Sequence, residues 1–128
     1  MAEPVTDQAP TGLGYPPRQN MGGTVTQASN RTTGVTINTP TGAITTNNAS
    51  LAAEATADFT VTCAACRIND IVAVSVRSGS DGGGTIVTVT TVTNGTFVIR
   101  VHNGNVASGT AETGAIIINY AIIKGQVS

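Results

Sequence analysis

Tryptophan is absent from this 128-residue chain, histidine occurs once, cysteine twice, and aromatic residues make up only 3% of the total. Charge is scarce as well: Lys and Arg number 6 and Asp and Glu 7, leaving a formal net charge of -1. Each shortage removes a class of function. Without a basic stripe the chain cannot displace counterions from a phosphate backbone, so no nucleic-acid partner is expected. With so few rings to stack on sugars, a carbohydrate cleft has little to build on. No run approaches the roughly 20 apolar residues that a membrane-crossing helix needs. The start, Met1-Ala2-Glu3-Pro4-Val5-Thr6-Asp7, has neither the basic n-region nor the apolar h-region of a secretory leader. The expectation is a chain made in the cytoplasm, unprocessed and without a membrane partner.

What is present in quantity is threonine and glycine, together more than a quarter of the residues. Threonine suits a pleated surface, because its branched Cβ packs while its hydroxyl is satisfied by water or a neighbouring strand. A sheet can thus be solvated with few charges. The cost is solubility as a free monomer, since an uncharged surface with open strand edges favours association.

Residues 1–23 hold Pro4, Pro10, Pro16 and Pro17, four of the five prolines, and read as an extended arm outside the sheet. Residues 24–128 form the second unit, a single β-domain. Its organising stretch is Gly34–Thr46, read as two short strands folded about Pro40-Thr41-Gly42, with Val35, Ile37 and Ile44 as the apolar members. Thr24–Ser29 opens the domain. Ala49–Ala55 is too short for an independent helix and is assigned to a loop or single turn. Ala57–Cys63 and Asp70–Arg77 alternate with the period of half-buried strands, Val72, Val74 and Val76 facing inward in the second.

Thr85–Thr93 and Thr96–Val101 flank Asn94-Gly95, the strongest short-range hairpin signal. After a polar loop over 102–114, Ala115–Ile123 is a nearly continuous apolar run, read as a strand covered on both faces or joined at its edge to a partner subunit. Seven or eight short strands without a βαβ rhythm make the fold all-β: an antiparallel β-sandwich or jelly roll with an extended N-terminal arm.

The candidate chemistry is thin. Cys63-Ala64-Ala65-Cys66 has redox or metal-site spacing, but it ends one strand and leads into another instead of opening a helix. A zinc site needs two further ligands, and His102 is the only histidine. Core packing for Cys63 and a turn position for Cys66 are the favoured reading, with a disulfide left open. His102 has no assigned orienting group for a triad. Glu54, Asp58, Asp70 and Asp81 are the acidic residues weighed as a glycosidase-like pair. Gly82-Gly83-Gly84 lacks the lysine and following helix of a phosphate loop, and the Asn-X-Ser/Thr triplets at Asn30, Asn48 and Asn94 are what a Thr- and Asn-rich chain makes by chance. No catalytic, cofactor-binding or metal-binding residue is assigned.

Gly22–Ala28, Asn30–Thr45, Phe59-Thr60-Val61 and the closing Asn119-Tyr120-Ala121-Ile122-Ile123-Lys124-Gly125 together resemble a group of small virion proteins of tailed bacteriophages and prophages. Such proteins are similar to head decoration, or cement, proteins, which coat the mature capsid as oligomers. The resemblance implies a compact β-fold, no cofactor and no enzymatic step. It also implies location on the outer capsid surface of a virion after synthesis in the host cytoplasm. The expected partners are the major capsid protein and further copies of the chain, a homotrimer before a dimer. In this reading Leu13, Tyr15, Pro16, Pro17 and Arg18 of the arm contact the capsid, while Ile116, Ile118, Tyr120 and Ile122, with the 85–101 hairpin, build the oligomer. The alternatives are a head or tail fibre module and a small carbohydrate-binding or hydrolytic module.

Overall fold

Alternation of β-branched and small polar residues decides the strands. The computed structural model of the chain describes residues 22–106 and 109–125, and these contain eight: β1 (Thr24–Thr26), β2 (Val35–Thr36), β3 (Thr41–Thr45), β4 (Thr56–Thr62), β5 (Ile71–Ser78), β6 (Thr85–Thr93), β7 (Thr96–Asn103) and β8 (Ile117–Ile123). The expected arm, with Leu13, Tyr15, Pro16, Pro17 and Arg18, lies outside the described residues apart from Gly22 and Gly23. Two four-stranded sheets stack face to face, sheet A in the order β1-β3-β8-β5 and sheet B in the order β2-β4-β7-β6. In β4, Ala57, Phe59 and Val61 point inward between exposed or half-buried Thr and Asp, the half-buried period expected from the sequence.

The β-sandwich is as expected, with two differences in its wiring. Most strand pairs are antiparallel, but β1 runs parallel to β3 and β2 parallel to β4, so both sheets are mixed. The organising stretch is also not a hairpin. β2 belongs to sheet B, where Val35 faces Val61, whereas β3 belongs to sheet A, where Ile44 faces Ile118. Between them the chain crosses from one layer to the other. Ile37 is buried in the crossing, its N–H bonded to Thr62 at 2.9 Å, and the Pro40 carbonyl accepts Ile122 N–H at 2.8 Å. Proline has no N–H to give a ladder, so the chain turns out of the sheet there.

The 85–101 hairpin is present, with β6 and β7 paired across Asn94-Gly95. Only Gly95 takes a positive φ, 90°, so the turn does not use the left-handed pair of a type I′ reversal. β7 extends to Asn103, two residues beyond the hairpin limit read from the sequence. The 49–55 segment forms no helix; Leu51 makes a single bridge to Glu112.

β8 requires a correction. It lies inside sheet A, paired to β3 on one edge and β5 on the other, and is not an edge strand. Ile116, Ile118, Tyr120 and Ile122 are 3% exposed or less, so these four side chains belong to the chain's own core and offer nothing to a partner. They share one buried core cluster with Phe59, Phe97 and Ile99 of sheet B. The Phe97 and Tyr120 rings pack across the layers with centroids 5.5 Å apart and planes tilted by 53°. The Tyr120 hydroxyl donates to the Thr39 carbonyl at 2.7 Å, tying the crossing segment to β8. Burial pushes its pKa up to about 12.

Between β5 and β6 the backbone approaches the start of β8 closely. Gly79 sits at φ 96°, and a Cβ added there would lie 2.2 Å from the Ala115 carbonyl oxygen. Gly79→Ala should therefore lower the unfolding free energy by about 3 kcal/mol or more, the sum of left-handed strain and a backbone clash that no side chain can relieve. Urea denaturation of the purified variant measures it.

Candidate functional site

Cys63 and Cys66 occupy the turn after β4, both free and both fully buried. The turn closes through Cys66 N–H to the Cys63 carbonyl at 3.0 Å and receives the hairpin tip through Cys63 N–H to Gly95 O and Gly95 N–H to Cys66 O. No disulfide joins them. Burial pushes the Cys66 thiol up, with the charges of Asp70 and Cys63 acting the same way. A protonated, enclosed thiol is a packing group, not a nucleophile.

The acidic residues considered from the sequence are distributed over separate places. Asp58 and Arg100 face each other across β4 and β7 on the outer face of sheet B, forming a two-pronged ion pair at 2.9 Å on each prong. The Arg100 hydrogen bonds hold the Asp58 carboxyl below its ordinary range. His102 lies on the same face, its Nδ1 3.0 Å from Thr56 Oγ1. Glu54 is an exposed turn residue at φ 68°.

Asp70 stands at one end of sheet A, nearly enclosed, and accepts from Lys124 Nζ at 2.6 Å, Arg67 N–H at 2.8 Å and Gly125 N–H at 3.0 Å. Burial alone would raise its pKa, but these three donors outweigh it and hold the carboxyl low.

Asp81 is at the opposite end of the sandwich, capping Thr113 through N–H at 2.8 Å and Oγ1 at 3.1 Å. Beside it lies Glu112, a fully buried carboxylate that the sequence reading passed over. Its Oε2 accepts Asp81 N–H at 2.9 Å and its Oε1 accepts Thr85 Oγ1. Arg31, 4% exposed, completes the cluster. Its guanidinium donates to the carbonyls of Ala49, Glu112 and Gly114 and to Thr46 Oγ1. Burial lowers its pKa, while the charges of Glu112 and Asp81 work against that.

Glu112 falls in no motif and Arg31 only in the chance triplet Asn30-Arg31-Thr32, and each sits in a loop whose sequence looks solvated. The nearest signal is the isolated Arg31 amid an uncharged stretch. What this arrangement does chemically is bind loops together: Arg31, Glu112 and Asp81 each have partners from another segment, which suits a brace. Among the described residues no three His, Cys, Asp or Glu side chains gather as a metal site.

What remains open is surface. The outer face of sheet A carries Ala43, Ala73, Ser75, Asn119 and Ala121, with Ile71 paired to Ile123 at one end. A shallow depression of about 200 Å³ lies over the middle of β5 and β8, lined by Ala73, Val74, Ser75, Asn119, Tyr120 and Ala121. The outer face of sheet B is threonine-rich around the Asp58–Arg100 pair. No family model, curated protein or solved structure matches this chain.

Two measurements check the braces. Arg31→Ala should destabilise the domain by about 3 kcal/mol or more, because Glu112 keeps its burial and loses the nearby cation. Arg31→Lys should rescue little of this, since an ammonium cannot reach acceptors on separate loops as a planar fork does. For Asp70 the folded pKa is depressed, so its stabilisation is present above about pH 4 and is lost as pH falls through the folded value. Asp70→Asn should lower stability at pH 7 by about 1–3 kcal/mol and flatten that part of the acid limb in urea titrations from pH 7 to 2.

Proposed function

We propose that the protein is a structural virion component that binds the outer surface of a phage capsid as a homo-oligomer and stabilises the shell, with no catalytic step. The observation that carries the reading is a division of labour among the described residues. Arg31, Glu112, Asp70 and Asp81, the groups with chemical potential, are engaged in internal bonds. The two outer faces and the long β5 and β6 edges stay open and nearly without charge.

Such surfaces suit contacts made many times over at modest individual strength, where repetition supplies the avidity. The likeness to head decoration proteins in Asn30–Thr45 and Asn119–Gly125 supports the same reading. The arm residues Leu13, Tyr15, Pro16, Pro17 and Arg18 carry the capsid contact in this proposal, and the major capsid protein is the partner. The 85–101 hairpin keeps its place in the oligomer because β6 is an edge strand; β8 does not.

Mixing the purified chain with undecorated phage capsids and imaging the particles tests it. Regular added density at symmetry positions, hundreds of copies per particle, is the expected outcome. Deleting residues 2–20 should weaken capsid binding by about tenfold or more while leaving thermal unfolding of the domain in place. Capsids that stay bare would overturn the proposal, and a few copies at one vertex would mark a fibre module instead.

A further inference from the structure

The four sheet edges are unequal. On one side of the sandwich they are β1 and β2, of 3 and 2 residues; on the other they are β5 and β6, of 8 and 9 residues, lying next to each other. Brevity blunts the first pair, since an unpaired edge is a template for another strand in proportion to its length. The second pair lacks that protection. Neither strand holds proline, and Arg77 is their single charge. One bulge interrupts each, at Val76/Ser78 and Val89/Thr91, leaving regular runs over Ile71–Val76 and Thr85–Val89.

The core is also unfinished on this side. Inward apolar residues of β4, β7 and β8 are 4% exposed or less, whereas Val72, Val74 and Val76 of β5 and Val87, Val89 and Val92 of β6 are only partly buried. Ile71 and Ile86, on the outer faces of the same strands, are 61% and 52% exposed.

We infer that a second copy of this chain covers the β5/β6 side through a two-fold axis running from one sheet to the other, so that β6 pairs antiparallel with β6 and β5 with β5. Three observations select a second copy over a different partner. The first is self-complementarity: Thr88-Val89-Thr90-Thr91-Val92-Thr93 reads alike in both directions, with the β6 bulge at its centre. An axis through that centre sets Val89 against Val92 and Thr88 against Thr93, matching inward with inward and outward with outward residues. The second is charge. Arg77 is the one charge of the two strands and lies near one end of β5, so the axis keeps the two guanidiniums at opposite ends and like charges do not meet.

The third is size. The axis between Thr90 and Thr91 pairs Thr88–Thr93 with its copy, about 20 Å of strand, and the adjacent β5 edge extends the contact toward the roughly 600 Å² per copy of the smallest specific pairs. Because only one side has long edges, the contact is isologous and closes as a dimer, in place of the trimer expected from the sequence. The inference stands apart from capsid binding, which the particle-imaging experiment reads separately.

Sedimentation velocity of the full chain over a hundredfold concentration range tests it, with Thr90→Lys, Thr90→Asp, and Thr60→Lys on the outer face of sheet B as the control. Thr90 and Thr60 are both exposed, so each variant keeps its core. The expected result is a wild-type dimer, a dissociation constant raised about tenfold or more by either Thr90 change alone, recovery on mixing the Lys and Asp variants, and no effect of Thr60→Lys. A wild-type monomer, a trimer, or an oligomer indifferent to Thr90 would overturn the inference.

Discussion

A guanidinium taken out of water must find acceptors in the protein, and the closed end of this sandwich is built around that obligation. Arg31 reaches the backbone of two separate loops, at Ala49 in one and at Glu112 and Gly114 in the other. Glu112 in turn holds the β5–β6 connection through Asp81 N–H and Thr85. With only 13 charged side chains in the chain, two of them in one enclosed cluster are a substantial commitment. The cluster replaces what a longer hydrophobic core would do for the loops: each loop is ordered because another loop needs its carbonyl.

The other end is closed by a lighter version of the same device. Asp70 collects Lys124 and two backbone donors, and the buried Cys63–Cys66 turn clasps the tip of the β6–β7 hairpin. Between the two ends, cross-layer contacts such as Phe97 on Tyr120 set the separation of the sheets. Among the described residues Arg31, Glu112, Asp70, Asp81 and Lys124 are spent on internal bracing, and the outer faces are rich in threonine, alanine and isoleucine.

Period-2 alternation made β4, β5 and the β6–β7 hairpin legible from sequence, because a half-buried strand writes its burial directly into residue order. Gly95 announced its turn. The crossing at 37–40 was not legible: Pro40 and Gly42 signal a change of direction equally well for a hairpin and for a passage between layers, and only the positions of β4 and β8 distinguish them. The same ambiguity left the apolar 115–123 run readable either as a strand covered on both faces or as one joined to a partner subunit, since a strand buried in its own sheet and one buried against a partner have the same composition. Arg31 and Glu112 escaped for a different reason. Their importance arises from contacts between residues such as Arg31 and Gly114, which no local pattern can encode.

The place of β8 bears on how the chain acquires its shape. Sheet A has no middle until the last of its strands arrives, because β3 and β5 both hydrogen-bond to β8 and not to each other. Ile44 meets Ile118 only after most of the domain has been synthesised. On the ribosome the β6–β7 hairpin is the one sizeable local unit available, and it must wait, uncovered, for the strand that completes the opposite layer. Topologies dominated by such distant pairings fold in milliseconds to seconds. The domain therefore forms as one late cooperative event, and in the interval before it the threonine-rich strands depend on hydroxyls alone to stay apart from their neighbours.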